Sequence, residues 1–430
     1  MALLKMKYFI LMIFFFSASN VFSQWQLMET APAGSFKKIV FTPAAIYAIT
    51  ETDGITQSVD SGISWQQTNN GLSGEALNCY DLLVSGDTLF LATVDGVYLS
   101  INGGYLWIKK SEGMVIGGNA NNIYAYSIFQ NDNKLYAGTF LGVYASTDFG
   151  ETWNITQLTG NNSKVVTFNY YNNSLFAGKD NNTGCPAYKT TNSGLNWIEV
   201  PVSGLSPIGV LSFYGEEHNL FAATGTGIWL STNSGLNWQM RNTGLPPNPF
   251  NSCIIKYMGC LFTSLKSNGG SVYRSVNNGA SWIDMSEGFP YLMNICNIGV
   301  FNNKIFAATS GGIYVRDIED LITGKINTSG NSPSAFKLWQ NYPNPFNPST
   351  KIKFEIPAEG RGQTANVKLV IYNTLGKQID ILVNGNLSAG SYEVVWPAPS
   401  GNASSLSSGI YYYRLEADGF TETKKMILIK

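Results

Sequence analysis

Seven tryptophans impose a period on the first two thirds of this 430-residue chain. Trp25, Trp65, Trp107, Trp153, Trp197, Trp238 and Trp282 are separated by 40, 42, 46, 44, 41 and 44 residues. A unit of that length cannot bury a core by itself, so its copies must stack in an array or close into a ring. Six of the tryptophans end one repeated phrase. It reads Ser58-x-Asp60-x-Gly62-x-x-Trp65, Ser100-x-Asn102-x-Gly104-x-x-Trp107 and Ser146-x-Asp148-x-Gly150-x-x-Trp153. It continues as Thr190-x-Asn192-x-Gly194-x-x-Trp197, Ser231-x-Asn233-x-Gly235-x-x-Trp238 and Ser275-x-Asn277-x-Gly279-x-x-Trp282. The Ser or Thr hydroxyl and the Asp or Asn oxygen accept bonds from backbone N–H groups inside a tight turn. The Gly supplies a positive φ that a side chain would resist. The Trp on the returning strand closes over the hairpin and shields those bonds from water. Asn stands for Asp in four of the six copies, which keeps the acceptor and loses the charge. That suits a turn and not a calcium site.

Alternating segments precede each phrase. Leu89-Phe90-Leu91-Ala92-Thr93 leads through Asp95-Gly96 to Val97-Tyr98-Leu99, and Leu220-Phe221-Ala222-Ala223-Thr224 leads to Gly227-Ile228-Trp229-Leu230. Such period-2 runs, bounded by Gly and Asn, are strands. With an earlier strand such as Val210-Leu211-Ser212-Phe213-Tyr214, each unit holds four, and residues 24–318 hold about seven units of ~42. The seventh ends at Ile313-Tyr314-Val315-Arg316 without its own phrase. Trp25-Gln26-Leu27 is predicted to supply the missing fourth strand and close the ring.

These six phrases resemble the Asp-box of BNR-type β-propellers, a group that includes sialidases, sortilin-type receptors, xyloglucanases and a photosystem II assembly factor. The resemblance implies an all-β fold with a seven-bladed propeller over residues 24–318. It also implies that the boxes, marked by Asp60, Asn102, Asp148, Asn192, Asn233 and Asn277, are structural turns on the outer rim, away from the central ligand face.

Ahead of the repeats, Lys5 and Lys7 precede an apolar run at 8–16, and small and polar residues follow to Ser23. This describes a secretory signal peptide over residues 1–23. The run is short for a membrane span, and no other stretch approaches one. Five cysteines, Cys79, Cys185, Cys253, Cys260 and Cys296, fit no zinc spacing. Two readings stay open for them: buried free thiols used as small apolar residues, or one disulfide from Cys253 to Cys260 or Cys296. A formal net charge of −1 without a basic run argues against nucleic acid or anionic membrane as the partner. The single histidine, His218, lies in Gly215-Glu216-Glu217-His218-Asn219 and reads as a solvated hairpin turn. Neither a His-rich metal site nor His-based catalysis is expected, and no cofactor is expected.

Residues 319–340 read as a linker, with Gly324, Ser329, Gly330 and Pro333. Asn341-Tyr342-Pro343-Asn344-Pro345-Phe346-Asn347-Pro348 follows, too rich in proline for a central strand. Alternating runs at 351–356, 367–372, 391–396, 409–415 and 424–429 then suggest a small β-sandwich of immunoglobulin-like kind. The Tyr-Pro-Asn-Pro-Phe-Asn-Pro entry, Ile371 to Gly376, Ala389-Gly390-x-Tyr392, Ser408-Gly409-Ile410-Tyr411 and the terminal Lys424-Lys425-Met426 resemble a known domain. It is the C-terminal sorting domain (type A, Por secretion family) of proteins exported by the type IX system of Bacteroidetes-like bacteria. The resemblance covers 341–430 and implies a sorting signal carried by Pro343, Asn344, Pro345, Phe346, Gly409, Tyr411, Lys424 and Lys425. It further implies the type IX machinery as a partner and a secreted or outer-membrane surface location.

Sialidase chemistry would need three converging arginines, and residues 24–318 contain only Arg241, Arg274 and Arg316. Arg274 and Arg316 fall at nearly equivalent positions of third strands beside the rim, so no triad is expected. Asp95 and Asp180, in turns between second and third strands, are conceivable as an acid–base pair. Lys109-Lys110, Phe140, Phe250, Lys266 and Phe289-Pro290-Tyr291 are the loop residues expected to face a ligand. The expected function is an exported, non-catalytic binding or scaffold module for a glycan or protein, with a glycan-active hydrolase as the alternative.

Overall fold

The computed structural model describes residues 24–429 apart from 115–122, 160–163, 181–185, 201–208, 258, 267–268, 291–292, 319–324, 327–332, 348–349, 358–363 and 397–406. The expected signal peptide, Cys185 and Tyr291 lie outside the described residues. The regular elements among the described residues are strands, with a short 3-10 turn at Gly74–Leu77. Among the described residues no helix is long and apolar enough to cross a membrane.

Between residues 26 and 317 the strands form seven four-stranded antiparallel sheets. Their first strands are Phe36–Phe41, Cys79–Ser85, Ala125–Asn131, Val165–Tyr171, Val210–Glu216, Asn251–Tyr257 and Ile295–Phe301. Each first strand packs on that of the next sheet, and Ile295–Phe301 packs on Phe36–Phe41, so the sheets close on themselves. Burial follows this order. Second and third strands such as Ile46–Thr50 and Gly96–Ser100 are buried along their whole length, because a neighbouring sheet covers each face. Fourth strands such as Gln66–Gln67 and Ile198–Glu199 are short and exposed.

Every junction between sheets has its own apolar cluster. Tyr47, Ile49, Leu82, Leu91 and Trp107 join the first two sheets, and Phe90, Val97, Ile128 and Trp153 join the next two. Phe306, Ile313, Phe36 and Ile39 join the seventh sheet to the first. The seventh sheet takes its fourth strand from the other end of the chain. Gln26–Leu27 pairs antiparallel with Gly312–Asp317, with Gln26 opposite Val315, as the orphan Trp25-Gln26-Leu27 led one to expect.

The C-terminal region builds two further four-stranded sheets over one shared core. One orders Lys325–Ile326, Gly390–Trp396, Thr350–Ile356 and Lys337–Leu338; the other orders Gln378–Ser388, Thr364–Asn373, Gly409–Ala417 and Phe420–Leu428. Three strands depart from the sequence reading. Lys325–Ile326 and Lys337–Leu338 fall inside the expected linker 319–340 and join the first sheet. Two residues are too few to show a period, although Leu338 is buried in the core. Gln378–Ser388 was hidden because Asn384-Gly385-Asn386 reads as a turn, yet these residues pair along Val367, Lys368 and Asn366.

Candidate functional site

The six phrases form six near-identical turns. In the first, Ser58 Oγ donates to Asp60 Oδ1 at 2.8 Å, and the Gly62 N–H donates back to Ser58 Oγ at 2.8 Å. The Ser64 N–H and hydroxyl donate to the two Asp60 oxygens at 2.8 and 2.5 Å. Asp148 repeats this set with Ser146, Gly150 and Thr152. Asn102, Asn192, Asn233 and Asn277 make the same backbone bonds with one oxygen, from Leu106, Asn196, Asn237 and Ser281. Hydrogen bonds from Ser64 and Thr152 hold the Asp60 and Asp148 carboxyls down at about 2. Each turn carries two consecutive left-handed residues, for example Phe149 at φ 62° and Gly150 at φ 89°.

Four of the tryptophans do more than cover a hairpin: each fastens its sheet to the one before. Trp107, Trp153 and Trp282 donate their indole N–H to the carbonyls of Thr68, Lys110 and Arg241, each three residues past the preceding tryptophan. Their backbone N–H groups donate to Asn70, Glu112 and Thr243, two residues further on. Trp25 makes both bonds across the ring closure, to Met285 and Glu287. The next residue after these acceptors is Gly71, Gly113, Gly244 or Gly288, each with a strongly positive φ. A Cβ there would lie 2.1–2.3 Å from a tryptophan carbonyl oxygen. That glycine, six residues after the tryptophan, is a sequence signal the phrase alone did not expose.

A second belt of bonds runs around the inner wall at the third residue of the first strands. Lys38 pairs with Asp81, whose other oxygen accepts from the Ile128 N–H at 3.1 Å. Ser127 donates to Val165 O at 2.9 Å, the Ile254 N–H donates to Ser212 Oγ at 3.4 Å, and the Ile39 N–H donates to Asn297 Oδ1 at 3.2 Å. These polar side chains join neighbouring sheets. Cys79, Cys253 and Cys260 are buried and Cys296 half-buried, all four as free thiols.

One residue earlier on these strands, or just before them, at the end of the ring that carries the second-to-third-strand turns, stands a cluster of a different kind. Tyr80 and Tyr126 meet edge to face at 4.9 Å, and Tyr124 stacks on Tyr126 at 6.1 Å. Lys37 Nζ sits 4.3 Å from the Tyr80 ring centre and Lys164 Nζ 5.4 Å from that of Tyr126. Burial lowers the Lys37 ammonium and pushes the Tyr126 hydroxyl up to about 12. All five side chains are half-buried, and Glu51 and Lys266 near Lys37 and Asp180 near Tyr126 are exposed. Three aromatic rings flanked by cations form a surface on which sugar rings or a peptide can stack.

Three of the loop residues expected to meet a ligand have partners within the ring. Lys109 pairs with Asp95 at 2.7 Å, Lys110 pairs with Glu151, and Phe289 stacks on Trp25 at 4.6 Å. Asp95 also accepts from the Tyr98 hydroxyl at 2.6 Å. Phe140 and Phe250 are half-buried, and Lys266 is exposed. Arg316 donates to Met285 O, beside the Trp25 closure, and Arg274 is lowered by burial. His218 is exposed in the turn between Val210–Glu216 and Asn219–Thr224.

In the C-terminal unit, the proline-rich entry is tied to the last strand. The Phe346 N–H donates to Ile427 O and the Ile429 N–H to Phe346 O, both at 2.9 Å. Its ring, 2% exposed, meets Trp396 edge-on, and Trp396 meets Tyr411. Asn344 Oδ1 accepts from the Ile427 N–H, while Asn341 Nδ2 donates to Pro343 O and to Thr350 Oγ1. Tyr413 bridges strand and entry, accepting from the Asn341 N–H and donating to Trp339 O. Pro345 and Lys425 are exposed, Gly409 is half-buried opposite Leu428, and Lys424 pairs with Glu422 at 2.9 Å. Residues 340–430 match the family model described as the secretion system C-terminal sorting domain.

The C-terminal unit is a sorting domain. Proteins that carry it are exported by type IX secretion to the cell surface or extracellular space, and this chain is one of them. No curated protein matches the chain in sequence. Solved structures similar to it are propeller-like. PorZ, a surface component of the type IX system of Porphyromonas gingivalis, is 13% identical with a TM-score of 0.52, over 92% of this chain and 60% of PorZ. The GH74 xyloglucanase of Xanthomonas campestris is 14% identical with a TM-score of 0.55, over 77% of this chain and 59% of the enzyme. YCF48 from Cyanidioschyzon merolae is 13% identical with a TM-score of 0.52, over 68% of this chain and 98% of YCF48. This chain therefore spans about three fifths of PorZ and of the xyloglucanase, and at these identities the likeness carries the fold alone.

Proposed function

We propose that this protein is an exported, non-catalytic binding or scaffold module: a seven-bladed Asp-box propeller of BNR type over residues 24–318, tethered to an immunoglobulin-like sorting sandwich at 341–430. The signal peptide at 1–23 starts the export, and the sorting domain completes it through the type IX machinery. The observation that carries the binding reading is the Tyr80, Tyr124 and Tyr126 cluster between Lys37 and Lys164. Its rings are half-buried at the end of the ring that carries the second-to-third-strand turns. Three further features favour binding over hydrolysis. Polar side chains of the inner wall are used between sheets, Asp95 is held by Lys109 and Tyr98, and the box carboxylates are saturated by their own turns. The ligand is a glycan or a protein segment presented at that aromatic end.

Purified full-length protein is tested against a panel of neutral and acidic polysaccharides for binding and for release of reducing ends. The expected outcome is binding without hydrolysis, lost in Tyr126→Ala and kept in Asp95→Asn. Hydrolysis that disappears in Asp95→Asn or Asp180→Asn would establish the glycan-active alternative. For the sorting role, a chain lacking Asn341–Lys430 is expected to stay in the periplasm of a type IX-competent host while still folding its ring. Removing only Lys424–Lys430 should act alike, because it strips the partners of Phe346 and Asn344.

A further inference from the structure

The sorting domain carries a groove that its fold does not need. Thr350–Ile356 places Ile352, Phe354 and Ile356 in the core, and period 2 sends Lys351, Lys353 and Glu355 to the outer face of the sheet. Glu393 stands opposite Lys353 on the neighbouring strand and pairs with Lys351 at 2.7 Å. Residues 337–342 run alongside Thr350–Ile356 at the edge of the sheet. The Trp339 N–H donates to Lys353 O at 2.8 Å, and Tyr342 and Lys351 exchange two backbone bonds of 3.0 Å. Those bonds hold the backbone and leave the side chains outward: Trp339 is 38% exposed and Tyr342 79% exposed. Between them a groove of about 250 Å³ is lined by Trp339, Gln340, Tyr342, Lys351, Lys353 and Glu393.

The charge in and beside the groove is positive. Lys337 Nζ lies 3.6 Å and Lys353 Nζ 5.4 Å from the Trp339 ring centre. Glu393 and Glu355 stand against these lysines, the Lys353–Glu355 contact loose at 3.8 Å, and Glu422 near Lys337 is paired with Lys424. Aromatic side chains that a fold leaves exposed beside cations are the composition of a protein-recognition anchor.

We infer that this groove is the surface by which the export machinery reads the domain, taking an extended peptide segment that sets a carboxylate on Lys353 and Lys337 and an apolar side chain between Trp339 and Tyr342. This inference rests on the sorting role and adds the place and the chemistry of the contact. The buried motif residues then act indirectly. Phe346, Asn341 and Tyr413 fix the backbone of 339–346, and so aim Trp339 and Tyr342.

Full-length chains bearing Tyr342→Ala, Lys353→Glu or both are expressed in a type IX-competent host, beside the wild type and a chain lacking Asn341–Lys430. Surface and medium fractions are measured by immunoblot, and the purified variants are melted thermally. Each single change is expected to lower the exported fraction about tenfold, the loss of one anchor contact, with an unchanged melting curve. Tyr342→Phe and Lys353→Arg should restore export. If the deletion is retained inside while the double variant is exported like wild type, the groove is not the recognition surface and the sorting role stands. If the deletion is itself exported, the sorting role fails as well. Normal export of the double variant together with loss of polysaccharide binding by Tyr342→Ala would make the groove a glycan site and overturn the docking assignment.

Discussion

The ring and the sorting sandwich hold themselves together in opposite ways. In the ring the contacts recur: an apolar cluster lies at each junction, six sheets carry the same turn, and at four junctions a tryptophan is fastened to the preceding sheet over a glycine. The sandwich uses each contact once, between residues far apart in the chain, such as Asn341 with Tyr413, Phe346 with Ile427 and Leu338 with Glu422. A repeated contact spreads stability as a sum over neighbours, so one faulty copy is diluted by the rest. A unique contact has no substitute. Loss of a single anchor should therefore do far more harm to the sandwich than loss of one box does to the ring.

The sharpest exception within the ring is Trp25, because its strand closes the circle. Trp25→Ala removes a ring 1% exposed and is expected to cost about 3–5 kcal/mol, lowering the ring's melting temperature by several degrees or more. Trp65→Ala serves as the control. Its indole N–H has no partner and it is only half-buried, so its loss should be clearly smaller. Equal shifts for the two in thermal melts would refute the closing role.

Next comes Phe346→Ala in the sandwich, expected to cost about 3–5 kcal/mol, on a core far smaller than the ring's. Calorimetry of the full chain should show the sandwich transition falling while the ring transition stays in place. A shift of both transitions together would mean that the two regions melt as one.

Two glycines sharpen the comparison at a smaller scale. Gly113→Ala would set a Cβ 2.2 Å from the Trp153 carbonyl oxygen at φ 87°, whereas Gly86, at φ 60°, has open space around it. Gly113→Ala should cost roughly 2 kcal/mol or more, and Gly86→Ala about 1 kcal/mol, the cost of the left-handed conformation alone. Denaturant midpoints measure the difference.

The smallest effect is that of a single box carboxylate. Asp60 and Asp148 titrate at about 2 in the folded chain, below the ordinary aspartate value of about 3.9. Their contribution is complete above that ordinary value and is lost as pH falls through about 2. Asp148→Asn should leave the melting temperature at pH 7 lower by at most a few degrees and reduce its fall between pH 4 and pH 2. A steeper acid loss in the variant than in the wild type would contradict the assignment.

Much of this was legible from residue spacing. The box phrases show their chemistry in the sequence because every donor and acceptor lies within four residues, as in Ser58, Asp60, Gly62 and Ser64. The orphan Trp25-Gln26-Leu27 announced a ring that closes with its own N-terminus, because one unit lacked a fourth strand and one strand lacked a unit. The proline-rich entry and the terminal lysines likewise marked a sorting domain. What stayed hidden were contacts with no period. Lys337–Leu338 is too short to show alternation, and Gln378–Ser388 contains a turn-like Asn-Gly-Asn within a strand. Of the loop residues expected to face a ligand, Phe289 instead stacks on Trp25, while Lys109 stays exposed in an ion pair with Asp95.

By itself, then, the sequence determined the repeat, the local turns and the export address, all of which are encoded over a few consecutive residues. Only the tertiary structure decided which groups remain available. It brought Tyr80, Tyr124 and Tyr126, from two sheets, together between Lys37 and Lys164 from two others. It also buried Phe346 while leaving Trp339 and Tyr342 outside. The physical reason is that a side chain's availability depends on which neighbours satisfy it, and those neighbours arrive from distant segments only when the sheets close.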